Sequence, residues 1–290
     1  MSVLCLIANP ADPELDGALV AAIHRETHGE INWLAQEIAC EILSPRSGDP
    51  VGVARAVIGA RKVDAALVPL TNRRKKLLVA DMDSTMIEQE CIDELAAAIG
   101  IKDEVAAITA RAMNGELDFE AALDTRVALL KGLERAVLER VRREQITLAP
   151  GGRVLVQTMK AYGAYTSLVS GGFTYFAEYF AKRIGFDEFV ANELEFHDDQ
   201  LTGTVRKPIV DREIKRRRLL ELAESRGMSP ALTLSVGDGA NDLDMLQASG
   251  LGVALHAKPV VAEQAHVRID HGDLTALLYL QGYDEEEFIR

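Results

Sequence analysis

An apolar strand that ends in two carboxylates constrains the fold of this chain more than any other stretch. Residues 77–80 read LLVA, and Asp81 and Asp83 follow directly in the run DMDST. Parallel strands that are covered on both faces consist of continuous runs of such aliphatic residues. The stretch therefore predicts a central strand of an α/β sheet with two acids at its carboxyl end.

The chain from Leu148 onward alternates strand patterns with helix patterns, which indicates a doubly wound parallel sheet of the Rossmann type. One of its strands ends in Ser-Gly-Gly, and another ends in the run GDGAND. The predicted elements are helices at 151–163, 173–185, 211–227 and 241–249, strands at 164–172, 232–239 and 251–255, and a hairpin formed by FVANELEF and LTGTV.

Two other regions interrupt or precede this core, which we assign to residues 73–87 and 148–290. Residues 88–147 repeat apolar residues at three- and four-residue intervals, with glycines at 100, 115 and 132 where helices should end. This predicts a bundle of four short helices, inserted as a cap above the first strand. Residues 1–72 have the order β-α-β-β-α-β of an α+β, ferredoxin-like domain. The basic run 72–76, NRRKK, is expected to be solvated at the junction.

Composition excludes some partners. The formal net charge of -13 disfavours nucleic acid, which requires a concentrated basic surface. No apolar run approaches the roughly 20 residues that span a bilayer, and no cationic segment precedes the apolar start, so we expect neither a membrane partner nor a secretory signal. The three cysteines have no metal-like spacing, which suits a reducing compartment. These features predict a cytoplasmic protein.

Residues suited to binding phosphate and a metal follow three of the predicted strands. Ligands of open α/β sheets bind beyond the carboxyl ends of the strands. Clustered carboxylates without Cys or His favour Mg²⁺, and paired glycines let backbone amides approach an anion. Each motif alone also fits a helix cap, a turn or a loop, but their joint occurrence at strand ends favours a phosphate-and-magnesium site. The residues concerned are Asp81, Asp83, Ser170, Gly171, Gly172 and Asp238.

These motifs resemble those of the haloacid dehalogenase superfamily, and in particular its phosphoserine phosphatases. The matching stretches are DMDST, VSGGF, the lysine of VDREIKRR, and GDGANDLDM, and the resemblance covers about residues 75 to 285. It implies Mg²⁺-dependent hydrolysis of O-phospho-L-serine to L-serine and phosphate, the last step of serine biosynthesis. Residues 1–72 resemble ACT-type regulatory domains by element order only, and because such units often pair between chains, a homodimer is a further expectation.

The resemblance also implies a role for each matching residue. Asp81 would be the nucleophile that forms an aspartyl-phosphate, Asp83 would act as general acid and base, and Lys215 would offset negative charge. It further implies that Ser170, Gly171 and Asn241 hold phosphoryl oxygens, that Asp81, Asp83 through its carbonyl and Asp238 bind Mg²⁺, and that Asp242 supports the metal and the lysine.

The substrate interpretation depends on residues of the predicted cap. Glu90 and Arg126 match the residues that bind the ammonium and carboxylate of phosphoserine, which are apt partners for an acid and a guanidinium fork. Met113 and Phe119 match apolar lid residues. Without the resemblance, Glu90 and Arg126 also fit ordinary surface charges. Three alternatives remain open at this point: a phosphotransferase, a phosphatase for another small phosphomonoester, and a sensor protein with a vestigial catalytic domain.

Overall fold

The computed structural model describes all 290 residues, and its N-terminal part is a four-stranded antiparallel sheet with two helices on one face. The strand order β2-β3-β1-β4, with every pair antiparallel, confirms the predicted ferredoxin-like arrangement. Asp16 and Asp49 cap the two helices by accepting the backbone N–H groups of Leu19 and Gly52. The elements are β1 Ser2–Ala8, α1 Gly17–Thr27, β2 Glu30–Ala35, β3 Ala39–Leu43, α2 Pro50–Ile58 and β4 Val63–Pro69.

Strand β1 of this N-terminal sheet is buried on both faces, and its alternate residues point in opposite directions. Leu4 and Leu6 belong to the apolar cluster beneath the two helices. Val3 and Cys5 belong instead to the main apolar cluster of the protein, together with Tyr279. The N-terminal unit is therefore packed on the rest of the chain through a continuous apolar interface.

The rest of the chain is built on a six-stranded sheet in the order β12-β11-β10-β5-β6-β7, with every neighbouring pair parallel. This confirms the predicted doubly wound core. Its elements, with those of the cap, are β5 Leu77–Ala80, α3 Cys91–Ala97, α4 Lys102–Met113, α5 Phe119–Leu129, α6 Arg135–Glu144, α7 Gly152–Ala161, β6 Tyr165–Phe173, α8 Thr174–Ile184, β7 Glu188–Asn192, β8 Leu194–His197, β9 Gln200–Val205, α9 Arg212–Ser225, β10 Thr233–Gly237, α10 Leu243–Ala248, β11 Leu251–Leu255, α11 Pro259–Ala262, β12 Val267–Ile269 and α12 Ala276–Leu280.

The cap consists of helices α3 to α6, as the sequence periodicity predicts. Gly100, Gly115 and Gly132 each follow a cap helix in a left-handed conformation, with φ between 76° and 84°, which glycine adopts without steric cost. Ile87 and Leu148 form an isolated antiparallel bridge. The chain therefore enters and leaves the cap at one point, directly beyond the end of β5.

Two sequence expectations are wrong in detail. The stretch FVANELEF is not one hairpin strand, because β7 joins the parallel sheet and only β8 pairs with β9.

The basic run 72–76 is not fully solvated. Arg73 forms a 2.6 Å ion pair with Glu41 and donates to the carbonyl of Leu280, and the buried Lys75 donates to the carbonyl of Ala231. Backbone carbonyls from distant elements cover these two cations. The local sequence around residues 72–76 does not predict which carbonyls these are.

None of the helices combines the length and the apolar character that a membrane span requires.

Asp64 of β4 fastens the N-terminal sheet to the loop that follows β12. Its Oδ1 accepts the backbone N–H of Asp270 at 2.8 Å, and its Oδ2 accepts those of His271 at 3.1 Å and Gly272 at 2.8 Å. A buried carboxylate is the acceptor that satisfies three converging N–H donors, because both of its oxygens accept.

We expect Asp64→Asn to lower the free energy of unfolding by about 2–3 kcal/mol, since the amide nitrogen would face an N–H donor that has lost its acceptor. Urea unfolding followed by circular dichroism measures the change. Asp12→Asn is the matched control, because Asp12 pairs with Lys62 on the exposed surface of the same unit, and its unfolding midpoint should stay close to that of the wild type. Equal midpoints for Asp64→Asn and the wild type would contradict this anchoring role.

Candidate active site

The three central strands of the parallel sheet deliver the predicted polar residues to one place. β5 lies between β10 and β6, so their carboxyl ends are adjacent. Asp81 and Asp83 follow β5, Ser170 lies towards the end of β6, and Asp238 follows β10, and all four side chains are buried. The topology thus brings together the residues that the sequence places at separate strand ends.

Lys215 of α9 lies beneath this group and is completely buried. Its Nζ is 2.6 Å from Asp81 Oδ1 and 2.7 Å from Asp242 Oδ1. Burial alone lowers the pKa of a lysine, but the charges of Asp242 and Asp81 outweigh it and raise the pKa of Lys215 above its ordinary value. Lys215 is therefore a fixed positive charge that binds two carboxylates on different parts of the chain.

Asp81, Asp238 and Asp242 form a buried acidic cluster whose ligand atoms all lie within 4.8 Å of one another. Burial and the charge of Asp242 raise the pKa of Asp81 well above its usual range, despite the opposing effect of Lys215. Burial, followed by the charge of Asp242, raises the pKa of Asp238 to about 7. Among the protein's own groups, negative charge therefore exceeds positive charge here.

The donor set fits a divalent cation. Asp238 Oδ2 and Asn241 Oδ1 are buried and have no hydrogen-bond partner, which is costly unless another group satisfies them. Carboxylate and amide oxygens are the ligands of hard cations such as Mg²⁺. Asp242 also approaches this cluster, but it is already engaged by Lys215 and by the Gly239 N–H at 3.1 Å. The residues present thus suit a metal held mainly by Asp81 and Asp238.

Asp83 has a different environment from Asp81. Its Oδ1 accepts the backbone N–H of Cys91 at 2.8 Å, and its Oδ2 accepts the Ser170 hydroxyl at 3.3 Å. Burial raises the pKa of Asp83 against the effects of the Cys91 N–H, Lys215 and Ser170. The two neighbouring carboxylates thus have different environments: Asp81 contacts a lysine and the acidic cluster, whereas Asp83 accepts hydrogen bonds whose effect on its pKa is outweighed by burial.

Close contacts at the paired glycines show that the cap is closed on the sheet. A Cβ at Gly171 would lie 2.6 Å from the Phe119 ring, and a Cβ at Gly172 would lie 2.3 Å from Asp83 Oδ2. A Cβ at Gly239 would lie 2.7 Å from Met113 Sδ. Larger residues at these positions would push the lid residues or Asp83 away. Only glycine therefore allows these side chains to pack this closely against the backbone.

The cavity between cap and sheet is small, about 30 Å³. The cavity brings together most of the predicted site residues, namely Asp81, Asp83, Glu90, Met113, Phe119, Arg126, Ser170, Gly171 and Asn241, while Lys215 and Asp238 lie outside its lining.

Glu90 and Arg126 approach this cavity from the cap with opposite charges. Glu90 accepts the Ser84 hydroxyl at 2.7 Å, and burial together with the charges of Asp83 and Asp238 raises the pKa of Glu90 well above its usual range. Arg126 is only 2% exposed. It is therefore not one of the surface charges that remained an alternative from the sequence alone.

Comparison with known proteins identifies the family. The family model described as haloacid dehalogenase-like hydrolase matches residues 78–247. The chain belongs to the haloacid dehalogenase-like hydrolases. It is 42% identical over 294 residues to a phosphoserine phosphatase of Streptomyces coelicolor, with 99% of this chain and 72% of the relative covered. A phosphoserine phosphatase of Haemophilus influenzae is 47% identical, with 70% of this chain and 65% of the relative covered.

Solved structures agree with this family. A HAD family hydrolase from Salmonella enterica serovar Typhi has a TM-score of 0.84 at 30% identity and covers 98% of this chain and 99% of its own. A phosphoserine phosphatase described as a phospho-aspartyl intermediate analogue has a TM-score of 0.68 at 37% identity, covering 71% of this chain and 98% of its own.

Three further residues shape the site of this hydrolase, and two of them have no recognisable signal in the sequence alone. Ser84 holds Glu90 and has a φ of 55°, which is uncommon for a residue with a side chain. The Cys91 backbone donates to Asp83. Thr109, on a different cap helix, contacts Arg126 at 3.0 Å. Only the first has a sequence clue, since Ser84 lies inside the motif that carries the two acids.

We expect a divalent cation to raise the melting temperature of this hydrolase, because it offsets repulsion among buried carboxylates and binds only the folded state. At a hundredfold excess over its Kd, the gain is about 2.7 kcal/mol. Differential scanning calorimetry with Mg²⁺, Mn²⁺ and Ca²⁺ measures it. Asp238→Asn should lose most of the gain, whereas Asp103→Asn, an exposed acid of the cap, should keep it. An unchanged gain in Asp238→Asn would exclude this cluster as the cation site.

Proposed function

We propose that this haloacid dehalogenase-like hydrolase uses Mg²⁺ to hydrolyse O-phospho-L-serine to L-serine and phosphate, with Asp81 as the nucleophile. The observation that carries the proposal is the placement of Glu90 and Arg126 in the same small cavity as Asp81 and Asp83. A half-buried acid matches the substrate ammonium, a guanidinium matches its carboxylate, and Asp81 and Asp83 lie where the phosphoryl group would react. The names of the Streptomyces coelicolor and Haemophilus influenzae relatives support the same substrate.

The reaction proceeds through two displacements at phosphorus. An oxygen of Asp81 attacks the phosphorus atom, and the bond from phosphorus to the serine oxygen breaks as Asp83 gives its proton to that oxygen. An aspartyl-phosphate and serine result. Asp83 then takes a proton from a water molecule that attacks the same phosphorus, and the bond to Asp81 breaks to release phosphate. The raised pKa of Asp83 suits a group that carries a proton at the start of this cycle, whereas the ionised form of Asp81 would be favoured by Lys215 together with a cation bound at the acidic cluster.

The other buried groups position the phosphoryl group and balance its charge. Ser170, Gly171 and Asn241 line the cavity together with Asp81, which supports a role for them in holding phosphoryl oxygens. Lys215 keeps Asp81 in position and offsets its charge. The chemistry that Mg²⁺ supplies when bound is the neutralisation of carboxylate and phosphoryl charge, so that an anionic nucleophile can approach an anionic substrate. Such positioning and neutralisation account for most of the catalysis of phosphoryl transfer.

The domain boundaries and the assembly belong to the same proposal. Residues 1–72 form an ACT-like regulatory unit, residues 88–147 form the cap, and residues 73–87 with 148–290 form the catalytic core. The bridge between Ile87 and Leu148 supports the limits of the cap. We also propose a cytoplasmic location. Pairing of two chains through the ACT-like units is supported by the open outer edge of β2, where Ile31 is exposed.

We expect Asp81→Asn to reduce phosphate release from O-phosphoserine by more than about a thousandfold, because the covalent route needs an ionised carboxylate. Acid quenching of the wild type during turnover, followed by peptide mass spectrometry, should locate a phosphoryl group on Asp81. Asp124→Asn is the control, since Asp124 is an exposed cap acid paired with Lys207, and it should retain wild-type turnover. Normal cation-dependent hydrolysis by Asp81→Asn would refute the nucleophile assignment.

We expect Arg126→Ala to raise the KM for O-phosphoserine by about a hundredfold, because it removes charge-assisted hydrogen bonds to the carboxylate. The KM for an aryl phosphate, which has no carboxylate, should change little. Arg111→Ala is the control, since Arg111 is an exposed arginine of the same cap whose partner is Glu116. Equal losses on both substrates would count against phosphoserine as the substrate, even with the nucleophile assignment intact.

A further inference from the structure

A chain of three polar side chains joins three cap helices beside the active-site cavity. Arg126 of α5 donates from Nη1 to Thr109 Oγ1 of α4 at 3.0 Å. The same hydroxyl lies 2.7 Å from Asp93 Oδ1 of α3. Thr109 is 3% exposed, so this polar chain, Asp93–Thr109–Arg126, lies inside the cap. Buried polar chains of this kind are costly unless each member is satisfied.

The Thr109 hydroxyl has one proton and two acceptors within reach. Asp93 Oδ1 lies at 2.7 Å and the carbonyl of Val105 at 3.1 Å. A hydroxyl bond to an ionised carboxylate is shorter and stronger than one to a carbonyl, so the proton points to Asp93. An oxygen lone pair then faces the Arg126 N–H. Asp93 thereby sets the direction in which Thr109 can accept, and Thr109 sets the orientation of the guanidinium.

The guanidinium of Arg126 is held on one side only. Its Nε donates to the carbonyl of Ala122 at 3.1 Å, its Nη1 is bound by Thr109, and no protein hydrogen bond involves its Nη2. Because the guanidinium is a rigid planar fork, two fixed nitrogens determine where its remaining N–H groups point. Arg126 lines the cavity together with Glu90, so the free edge is available to a ligand there.

We propose that Asp93 and Thr109 are positioning residues that aim the Arg126 guanidinium at the carboxylate of the substrate, and so set the preference for carboxylate-bearing phosphomonoesters. This inference rests on the proposed function of Arg126. A flexible arginine would lose side-chain entropy on binding, whereas one that is already oriented loses less. The contribution of Asp93 and Thr109 should therefore appear only with substrates that carry a carboxylate.

The test compares three phosphomonoesters with Thr109→Val, which removes the hydroxyl and keeps the shape. O-Phosphoserine carries both charged groups, O-phosphoethanolamine lacks the carboxylate, and 3-phosphooxypropanoate lacks the ammonium. We expect the KM to rise about tenfold for the two carboxylates, the size expected from losing one hydrogen bond to a charged group, with kcat nearly unchanged. The KM for O-phosphoethanolamine should stay within about twofold of the wild-type value. Thr109→Ser should restore selectivity.

Matched controls separate positioning from folding. Thr125→Val removes a hydroxyl of the same cap that bonds only the carbonyl of Ala121 within its own helix, and it should leave all three KM values unchanged. Asp93→Asn keeps an acceptor for Thr109 but removes the charge, so it should shift KM in the same direction by a smaller factor. Should Thr109→Val lower the melting temperature, the substrate ratio in Asp93→Asn still tests the inference.

The outcomes distinguish the proposed substrate from the positioning role of Asp93 and Thr109. A wild-type enzyme that fails to prefer O-phosphoserine to O-phosphoethanolamine would overturn the proposed substrate and this inference with it. A wild-type preference that persists unchanged in both Thr109→Val and Asp93→Asn would overturn the positioning role alone. Equal losses on all three substrates, without rescue by Thr109→Ser, would assign Asp93 and Thr109 to cap stability instead.

Discussion

The rest of the site depends on one buried cation, Lys215, held between Asp81 and Asp242 at 2.6 Å and 2.7 Å. A buried charge is tolerated only when it is paired and hydrogen-bonded. Burying either carboxylate without the lysine would be unfavourable for the same reason. The three residues come from α9, the end of β5 and the turn after β10, so their mutual dependence fixes three elements of the sheet domain. A second lysine, Lys258, approaches Asp238 Oδ2 only to 3.7 Å from the half-exposed side, and the remaining negative charge of Asp81 and Asp238 favours a divalent cation.

The sheet and the cap carry groups with different proposed roles. The groups assigned to phosphoryl chemistry lie on rigid strand ends, where packing on both faces prevents movement. The groups assigned to the leaving alcohol, Glu90 and Arg126, belong to an inserted unit that the chain enters and leaves beside one bridge, Ile87 to Leu148. The cap is also bridged to the β8–β9 hairpin by the Glu134–Gln200 pair and by the Gly132 N–H, which donates to the carbonyl of Leu201. The cap and this hairpin would therefore move together when the cavity of about 30 Å³ opens. Closure of the cap would therefore bring the substrate-selecting groups into place and exclude water in the same step.

The sequence predicts the parts of this structure that depend on local patterns. The apolar run before Asp81 identifies the central strand, and glycines such as Gly115 mark the ends of cap helices. Its failures have physical reasons. The strand β12 has only three residues, too few for a periodicity, and β7 and β8 are separated by a single residue, Glu193. Arg73 is buried by carbonyls from α12, more than two hundred residues later. Asp93, Thr109 and Arg126 likewise meet only because three helices pack together.

One cavity adjoins both the N-terminal unit and the acidic cluster. Asp64 binds the backbone of residues 270–272, and a cavity of about 380 Å³ beside that loop is lined by Asn9 of the N-terminal unit, by Leu274, and by Asp238. Displacing the N-terminal unit would break three hydrogen bonds to a buried carboxylate and expose apolar surface on both sides. Small movements of this loop would keep these bonds, whereas release of the unit would break them.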